Sequence, residues 1–406
     1  MITSIAWKNI WRNKTRSLVV IIATILGLFG GIFSVSFMIG MVEQRYEAAI
    51  NKEVSHIQIH NPKYLENAEI QYTIPEPQNI SAEIKRISGV KNVSIRTKIP
   101  GMISSATTSA GIQIFSIDPE SERKITTIYK CIVDSGGTYF GEERKNQVVI
   151  SKKLAEKLKV RFHSKIVLRF QDSTGNIIES AFKISGLFNT YNSMFDEQVV
   201  FIKSSDLAGI LGMDPPCHEI ALLLNNGEEV ERIKAELQKK YADLKVQSWK
   251  EIQPELGLMV EMMDKMMLIF LGIILLALAF GIINTMLMAV LERTKELGML
   301  MSIGMTRIRV FKMILIETVL LTLTGGVVGM IISGIFIKIT HARGIDLSIV
   351  AKGMESLGYE SMVYPSITAD YFIILTVMII VTGILSAIYP AKKALNINPA
   401  EAIKME

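Results

Sequence analysis

The stretch ERTKELGMLMSIGMTRIRVFK, residues 292–312, lies between two long apolar runs at residues 266–291 and 313–337. It contains five lysine or arginine residues and two glutamates, and its spacing predicts an amphipathic helix. One side of that helix should carry Leu297, Leu300, Met301 and Ile303, and the other Arg293, Lys295 and Glu296. Because a helix with this charge cannot cross a bilayer, we expect it to lie at one membrane surface and meet a partner there.

Four apolar windows predict four transmembrane helices. The 406-residue chain is 49% hydrophobic and only 20% charged, with a mean hydropathy of +0.34. The windows are residues 18–42, 266–291, 313–337 and 371–391. Each is near or above the roughly 20 residues that cross a bilayer as a helix. Glu317 is the one charged residue within them, and we interpret it as structural because it lies near Lys312 at a helix end.

The distribution of positive charge predicts the topology. Residues 1–17, 292–312 and 392–406 together hold 12 basic and four acidic residues, whereas the whole chain has a net charge of only +5. Basic flanks favour the cytoplasm, so both termini and residues 292–312 are predicted there, and nucleic acid is not an expected partner. The leader, residues 1–17, should form an amphipathic interfacial helix with Trp7 and Trp11 at headgroup level. Span one is too long for a signal peptide and is predicted to be an uncleaved anchor.

Residues 43–265 have the balanced composition of a folded domain outside the cytoplasm. Two strand–helix–strand patterns lie at its ends, at residues 55–98 and 219–249, and such units pair into a split, porter-like sheet. Residues 101–214 form an insertion that alternates mainly as β-strands. The expected fold is therefore an α/β membrane protein with four transmembrane helices and a large extracytoplasmic α+β domain between the first two. Residues 338–370 should be a short outer loop that caps the membrane face, and residues 392–406 a cytoplasmic tail.

The sequence offers no catalytic or metal constellation. It has five histidines outside any HExxH pattern and no GxxxxGK[ST] phosphate loop. We interpret His56 and His60, which alternate with Gln58, as a solvated strand face and not as a metal site. No catalytic residue, metal or bound cofactor is predicted, so energy should come from a separate subunit. Cys131 and Cys217 are both predicted outside the cytoplasm, where they can pair, and this remains open.

Glycines four apart occur within two of the predicted spans. They are Gly27 and Gly31 in the first span and Gly325 and Gly329 in the third. This spacing lets helices approach closely, either within one chain or between two copies.

Several segments resemble the FtsX/MacB-type (type VII) ABC transporter permeases. The resemblance lies in ERTKELGMLMSIGMTRIRVFKMILIE at residues 292–317, in AWKNIWRNKTRS before span one and in YPAKKALNINPAEAIK after span four. VVISKKLAEKLKV, FKISGLF and DEQVVFI are similar to the extracytoplasmic domain of that family. The segments follow the family order of one span, a large outer domain and three spans.

The resemblance implies a mechanism. Two permeases, identical or different, would pair and each would seat its short cytoplasmic helix on a P-loop ATPase that binds ATP and Mg²⁺. Closure of the ATPases would then move the outer domains, a process called mechanotransmission. The ATPase-coupling residues implied here are Glu292, Arg293, Lys295, Glu296, Leu297, Gly298, Ile303 and Gly304.

Within the family, length and layout are most similar to the lipoprotein-releasing LolC/LolE permeases of the inner membrane. MacB-type pumps usually carry a fused ATPase before span one, and this chain begins near its first span, so a separate ATPase is expected. A hairpin centred on Asp172, Gly175 and Asn176 is the candidate site for a periplasmic chaperone. Two alternatives are a MacB-like efflux permease with an adaptor and an FtsX-like scaffold that regulates a periplasmic hydrolase.

Overall fold

A computed structural model describes residues 2–12, 14–141, 145–350, 353–354 and 358–395. The chain divides into two compact units. We call the first the helical unit; it contains Met1–Met41, Glu261–Asp346 and Met362–Glu406. The second, the sheet unit, contains Val42–Val260 and Leu347–Ser361.

The helical unit contains six of the described helices. They are α1 (Ile2–Arg12), α2 (Lys14–Ala48), α11 (Pro254–Glu292), α12 (Thr294–Ser302), α13 (Arg307–Arg343) and α14 (Ala369–Leu395). Of these, α2, α11, α13 and α14 are long and apolar enough to cross a membrane. They contain the four predicted windows, which confirms the prediction of four transmembrane helices. The predicted tail after Leu395 lies outside the described residues.

Glycines on α2 and α13 lie where neighbouring helices approach closely. A Cβ atom added at Gly27 would lie 2.7 Å from the Leu278 side chain on α11. At Gly325 on α13 it would lie 2.9 Å from Cβ of Thr24 and 3.1 Å from the carbonyl oxygen of Ile21. Gly31 and Gly329 face α11 and α2 in the same way. Within one chain, the small residues therefore permit close contact of α2 with both α11 and α13.

Replacing Gly325 by leucine should destabilise the helical unit. Helix propensity favours leucine over glycine by about 0.8 kcal/mol, but the new side chain would collide with Thr24 and the backbone of α2. Overpacking of this kind costs about 1–3 kcal/mol. We expect a lower thermal unfolding midpoint of the full chain in detergent. Gly272→Leu on α11 is the matched control, because no atom lies within 4 Å of its added Cβ. Equal midpoints for the two variants would contradict the packing role.

The sheet unit contains most of the described strands. They are β1 (Ile57–His60), β2 (Val90–Ser104), β3 (Ser109–Ile117), β4 (Ile132–Gly137), β5 (Gln147–Ser151), β6 (Lys165–Gln171), β7 (Ile177–Phe188), β8 (Val199–Lys203), β9 (Glu219–Leu224) and β10 (Lys245–Ser248). Its helices are α3 (Pro62–Asn67), α4 (Pro77–Ile84), α5 (Pro119–Glu122), α6 (Lys152–Lys157), α7 (Ser193–Gln198), α8 (Ser204–Leu211), α9 (Val230–Lys240) and α10 (Trp249–Ile252). Two short strands, β11 (Ile345–Asp346) and β12 (Met362–Val363), pair in the helical unit.

The predicted porter-like sheet is present. Its antiparallel order is β10-β1-β9-β2, which joins the two strand–helix–strand units as expected for a split, ferredoxin-like arrangement. The apolar residues Ile57, Ile84, Leu222, Ile233 and Val246 belong to one buried cluster beneath it. This cluster joins helices α4 and α9 to the sheet, so the two ends of the domain form one subdomain although the insertion separates them in sequence.

The insertion closes into a β-barrel. Around the ring, β2 pairs with β3, β3 with β8, β8 with β5, β5 with β7, β7 with β6, and β6 returns to β2. Ile103, Ile150, Leu168, Phe182 and Ile202 are buried together inside it. Closure leaves these six strands without free edges, which protects them from pairing with other chains. The prediction of a mainly β insertion is confirmed, although the barrel itself was not predicted.

Strand β2 belongs to both subdomains, and a buried ionic cluster lies on it. Arg96 is 1% exposed and donates two hydrogen bonds to Glu122, of 2.6 and 3.0 Å, and one of 2.6 Å to Glu219. The ammonium of Lys98 lies against the second Glu219 oxygen. Burial alone would raise the pKa of Glu219, but Lys98 and Arg96 outweigh it and lower the pKa to about 2. The cluster is therefore ionised at neutral pH and ties β2 to β9 and α5.

The prediction of a solvated face on β1 is wrong. His56, Gln58 and His60 are 8%, 2% and 3% exposed, and the ring of Tyr64 on α3 stacks 6.4 Å from that of His60. The Gln58 amide oxygen lies 2.9 Å from Nε2 of His60, and the carbonyl oxygen of His218 lies 3.0 Å from its Nδ1. Among the described residues, no group of three or more potential ligands could hold a metal. These side chains form a buried polar network in place of a solvated surface.

The buried histidines should make the sheet unit sensitive to acid. Burial lowers the pKa of His60 to about 4, and the nearby Glu219 offsets this only in part. Because the unfolded histidine titrates near 6.5, this stability is complete above pH 6.5 and is lost as the pH falls through 4. We expect His60→Gln to retain about 2 kcal/mol more of its neutral-pH stability at pH 4.5 than the parent chain. The measurement is the unfolding midpoint of the full chain at pH 7.5 and 4.5.

His163→Asn provides the control for this prediction. His163 is exposed, and its left-handed backbone angle, φ 68°, is one that asparagine tolerates. This variant removes an exposed histidine and leaves the buried hydrogen bonds of His60 in place. If His60→Gln shows the same loss of stability between pH 7.5 and 4.5 as His163→Asn, then His60 is not the titrating group.

A π-helix, Ala49–Val54, connects α2 to the sheet unit, and the second outer loop contacts it. Glu53 accepts two hydrogen bonds from Arg45 and one of 2.8 Å from the Gln253 side chain. Lys52 donates a hydrogen bond of 2.6 Å to Glu360. Leu347–Ser361 groups with the sheet unit, so this part of the loop has tertiary contacts that were not predicted.

Both cysteines are free thiols. Cys131 is partly exposed, whereas Cys217 is 2% exposed among the apolar residues beneath the porter-like sheet. Burial raises the pKa of the Cys217 thiol to about 12. The disulfide that the sequence left open is not formed in this structure, and the buried thiol is protonated at neutral pH.

Candidate docking surface at one end of the helical bundle

The predicted helix over residues 292–312 is wrong in its extent. Helix α11 ends at Glu292, α12 covers only nine residues, Thr294–Ser302, and α13 begins at Arg307. Gly304 ends α12 in the left-handed region, with φ 104°. Its N–H donates to the carbonyl of Met301, and the N–H of Met305 donates to that of Leu300, at 3.1 and 3.0 Å. This is a Schellman motif, so Gly304 ends the helix.

The residues predicted to share one apolar side of this helix differ in how exposed they are. Leu297 is 4% exposed and packs in a cluster with Ile10, Val310 and Ile314. By contrast, Leu300 is 38% exposed and Ile303 is 79% exposed. One part of the apolar side therefore anchors α12 to the bundle, and another part faces outward.

The outward part forms a small surface, which we call the α12 tip. Its apolar residues are Met299, Leu300 and Ile303, and Ile308 on α13 is also 58% exposed. The exposed basic residues Lys295, Arg307 and Arg309 lie on the same two helices. An apolar surface beside basic side chains fits a partner with an apolar pocket and acidic surroundings.

Arg293 faces the bundle and not a partner. It caps the N-terminus of α12, and its guanidinium donates a hydrogen bond of 2.9 Å to Glu317 on α13. A second bond of 3.1 Å runs to the carbonyl oxygen of Asn9 on α1. The two charged side chains are only 14% and 10% exposed. Glu317 therefore forms a buried ion pair with Arg293, in accordance with the structural role interpreted from the sequence.

The other predicted coupling residues have different surroundings. Glu296 forms an ion pair with Arg12 of α1, and both side chains remain accessible. Lys295 is exposed, whereas Gly298 is buried against the bundle. Glu292 is the last residue of α11. The structure thus brings the eight residues to one end of the bundle, where Ile303, Gly304, Lys295 and Glu292 are accessible and Arg293, Leu297 and Gly298 hold α12 in place.

The predicted chaperone hairpin is the β6–β7 connection. Asp172 accepts hydrogen bonds from the backbone N–H groups of Thr174 and Asn176, at 2.8 and 2.9 Å. Gly175 takes a left-handed angle, φ 84°, that the turn requires. The hydroxyl of Thr174 and these backbone bonds lower the pKa of Asp172. The tip is an exposed, hydrogen-bonded turn, and a chaperone contact there stays a prediction.

Family models match both units of the chain. The MacB-like periplasmic core domain model matches residues 17–240, which is more than half of the chain, and the FtsX-like permease C-terminal model matches residues 268–399. The chain belongs to the MacB/FtsX-type ABC transporter permeases. It is accordingly a multi-pass membrane protein with an extracytoplasmic domain, and a permease of this type works with an ATPase.

Individual relatives of the permease have low sequence identity to it, from 23% to 32% for the three described here. An uncharacterized ABC transporter permease of Methanocaldococcus jannaschii is 23% identical, over 100% of this chain and 98% of that protein. The uncharacterized ABC transporter permease YknZ of Bacillus subtilis is 32% identical over 40% of this chain and 36% of its own. The macrolide export ATP-binding/permease protein MacB of Chlorobium luteolum is 32% identical over 31% of this chain and 16% of its own.

Solved structures with similarity to the permease include two extracytoplasmic domains. The extracellular domain of the transporter YknZ from Gram-positive bacteria covers 48% of this chain and 99% of its own, with 13% identity and a TM-score of 0.33. The periplasmic region of MacB from Actinobacillus actinomycetemcomitans covers 50% of this chain and 92% of its own, with 10% identity and a TM-score of 0.34.

Sequence reasoning missed the contribution of α1 to this surface. Part of this surface, the ion pair between Arg293 and Glu317, could have been predicted. A carboxylate inside an apolar helix requires a partner, and Arg293 is a basic residue in the preceding connection. The pairing of Arg293 with Glu317 was missed because the two are 24 positions apart and Lys312 is closer to Glu317 in sequence. The contact between Arg12 and Glu296 joins residues 284 positions apart, and local patterns carry no information about it.

Proposed function

We propose that this permease couples ATP hydrolysis by a separate cytoplasmic ATPase subunit to the extraction of lipoproteins from the outer leaflet of the inner membrane. The observation that carries the proposal is the α12 tip, where Ile303 is 79% exposed at the end of a helix anchored by Leu297. An apolar residue of this exposure on a rigid, capped helix is suited to enter a pocket on a partner. ATP and Mg²⁺ would bind in the ATPase and not in this chain.

Helix continuity supports transmission of motion from the docking surface. Helix α11 runs without interruption for 39 residues, from Pro254 to Glu292, and adjoins α12 directly. At 1.5 Å per residue its length is roughly 58 Å, which exceeds the hydrocarbon thickness of a bilayer. Its first residues contribute to the sheet unit, where Gln253 precedes it and bonds to Glu53. Displacement of Glu292 would therefore move the chain on the other side of the membrane.

A groove between α2 and α11 supports a lipid-modified cargo. It has a volume of about 490 Å³ and is lined mainly by small and apolar side chains. The smallest of its lining residues are Ala23, Gly27, Ala277 and Gly281. An acyl chain fits such a groove because it requires no hydrogen bonds from the protein. Membrane lipids would occupy the same groove when cargo is absent.

The proposed complex contains two permease subunits, either two copies of this chain or this chain with a sister permease. Both termini and α12 would face the cytoplasm, in accordance with the excess of basic residues there. The sheet unit would then be periplasmic, and the turn at Asp172 would be available to a chaperone that receives the lipoprotein.

A second candidate function is efflux of a small molecule or peptide, with a periplasmic adaptor. The match of residues 17–240 to the MacB-like periplasmic core domain favours it, because that match covers the sheet unit. A scaffold that regulates a periplasmic hydrolase, similar to FtsX, is the third. All three share the ATPase-docking step and differ in what binds outside the membrane.

The test is purification of the tagged chain from native membranes in mild detergent, followed by mass spectrometry of the proteins that accompany it. We expect a P-loop ATPase together with acylated lipoproteins. An adaptor and an outer-membrane channel in place of lipoproteins would establish efflux, and a periplasmic hydrolase would establish the scaffold function. Failure of any ATPase to accompany the chain would reject the docking proposal itself.

A further inference from the structure

The last residues of the N-terminal helix α1 lie beside α12 and the residue that precedes it. The carbonyl of Asn9 accepts a hydrogen bond of 3.1 Å from Arg293, and Ile10, 1% exposed, packs in the same cluster as Leu297. At the end of α1, the Arg12 guanidinium binds the Glu296 carboxylate. Two of these contacts, those of Asn9 and Ile10, are at least partly buried. The end of α1 is therefore joined to the short helix that carries the α12 tip by specific contacts of these three residues.

Arg293 occupies a position that connects four helices. It lies between the end of α11 and the start of α12, its Nη1 bonds to Glu317 on α13, and its Nη2 bonds to Asn9 on α1. Both charged side chains are at least 86% buried relative to their extended states, since 14% and 10% remain exposed. Hydrogen bonds to charged groups in such surroundings are stronger than those at a surface. We call Arg293, Glu317 and the Asn9 carbonyl the Arg293 bridge.

We propose that the Arg293 bridge makes α1 part of the coupling device, with Arg293 as the positioning residue that fixes the orientation of α12. The inference rests on the proposed docking function, because orientation matters only if the α12 tip binds a partner. In this arrangement Arg293 does not touch the ATPase. It acts through α12, whose nine residues are too few to keep a stable orientation without tertiary contacts.

The planar fork of arginine explains why this residue type is needed. Two nitrogens of one guanidinium donate to two different acceptors. The ammonium of lysine is a compact point charge and cannot reproduce this fixed fork of donors. Arg293→Lys should therefore keep the ion pair with Glu317 and lose the bond to Asn9. The reversed pair, Arg293→Glu with Glu317→Arg, should likewise restore the ion pair, but a carboxylate cannot donate a hydrogen bond to the Asn9 carbonyl.

The first measurement is amide hydrogen exchange of the full chain in lipid nanodiscs without any partner. In Arg293→Lys and in the reversed pair, we expect exchange in residues 2–12 and 294–302 to rise about tenfold or more, with α13 and the sheet unit unchanged. Lys295→Gln, on the same helix but exposed, is the matched control and should leave exchange unchanged. Unchanged exchange in all variants would overturn the proposal.

The second measurement is the affinity of the same variants for the ATPase that accompanies the parent chain. We expect a loss of about tenfold or more in Arg293→Lys while the thermal midpoint stays the same. Faster exchange with unchanged affinity would mean that the Arg293 bridge is purely structural, and it would overturn the positioning role. If no ATPase binds even the parent chain, the docking proposal fails, whereas the exchange data still decide whether α1 and α12 are held together.

Discussion

Replacing Ile303 by aspartate is expected to abolish binding of the ATPase subunit while the permease remains folded. Ile303 is 79% exposed and follows the last turn of α12, so a carboxylate there meets water in the free protein. Substitutions at such positions usually change folding stability by less than about 0.5 kcal/mol. In the complex, however, the carboxylate would enter an apolar pocket. Hot-spot residues contribute about 2–4 kcal/mol, and a loss of that size weakens binding roughly 30- to 1,000-fold.

The measurement is the affinity of the detergent-purified or nanodisc-embedded permease for its ATPase, together with the thermal midpoint of each variant. Leu65→Asp is the matched control, because Leu65 is an exposed leucine, 44% accessible, in the sheet unit. It undergoes the same change from apolar to acidic without touching α12. Binding by Ile303→Asp that equals binding by Leu65→Asp would exclude the α12 tip from the ATPase interface.

Replacing Arg96 by methionine is expected to destabilise the sheet unit by about 3–5 kcal/mol, which is a large part of the stability of a typical domain. Methionine fills similar space but leaves two carboxylates, Glu122 and Glu219, buried at 0% exposure without the guanidinium that binds both. Lys98 offsets only part of this negative charge, because its ion pair is with Glu219. Removal of one partner from a buried ionic cluster costs more than the cluster contributes, since the remaining charges stay desolvated.

The unfolding midpoint of the full chain, combined with protease resistance of residues 42–260, measures this loss. Arg123→Met is the matched control, because Arg123 is 43% exposed and pairs with the exposed Glu120 at 3.3 Å. An exposed pair contributes about 0–1 kcal/mol, so this variant should retain nearly the parent midpoint. Similar midpoints for Arg96→Met and Arg123→Met would mean that the buried cluster does not stabilise the domain.

Local sequence patterns predict some features of this protein and miss others for identifiable reasons. The four spans were predictable because an uninterrupted apolar run is a direct consequence of a lipid environment. The porter-like sheet was predictable because each strand–helix–strand unit is contiguous in sequence. The barrel was not, because its closure depends on β6 pairing with both β2 and β7, and no local pattern records the return to β2.

The histidines of β1 show how one correct pattern can support a wrong conclusion. Alternation of His56, Gln58 and His60 correctly indicates one face of a strand, and polar residues usually lie at the surface. Here the ring of Tyr64, stacked 6.4 Å from that of His60 and 4.6 Å from that of His218, packs over that face. Burial depends on what packs against the strand later in the chain, and sequence alternation does not contain that information.

The position of the short helix α12 was predictable from the sequence, but the way it packs was not. The charged stretch between two spans predicts a helix there, and the structure has one at Thr294–Ser302. Leu297 is buried and Ile303 is exposed because of the way α12 packs on α1 and α13. That packing depends on Arg293 and Glu317, which are 24 positions apart, and therefore on tertiary structure.

The pairing of β1 determines the order in which the sheet unit can fold. In the described structure β1 pairs with β9 and β10, whose residues follow it by more than 150 positions, and the barrel residues lie between them. During synthesis and membrane translocation, β1 emerges long before its partners, whereas β2 and β3 are adjacent in sequence. The barrel can therefore form early, and completion of the porter-like sheet must wait for β9 and β10. Translocation of β9 and β10 is therefore a condition for completing the sheet that β1 begins.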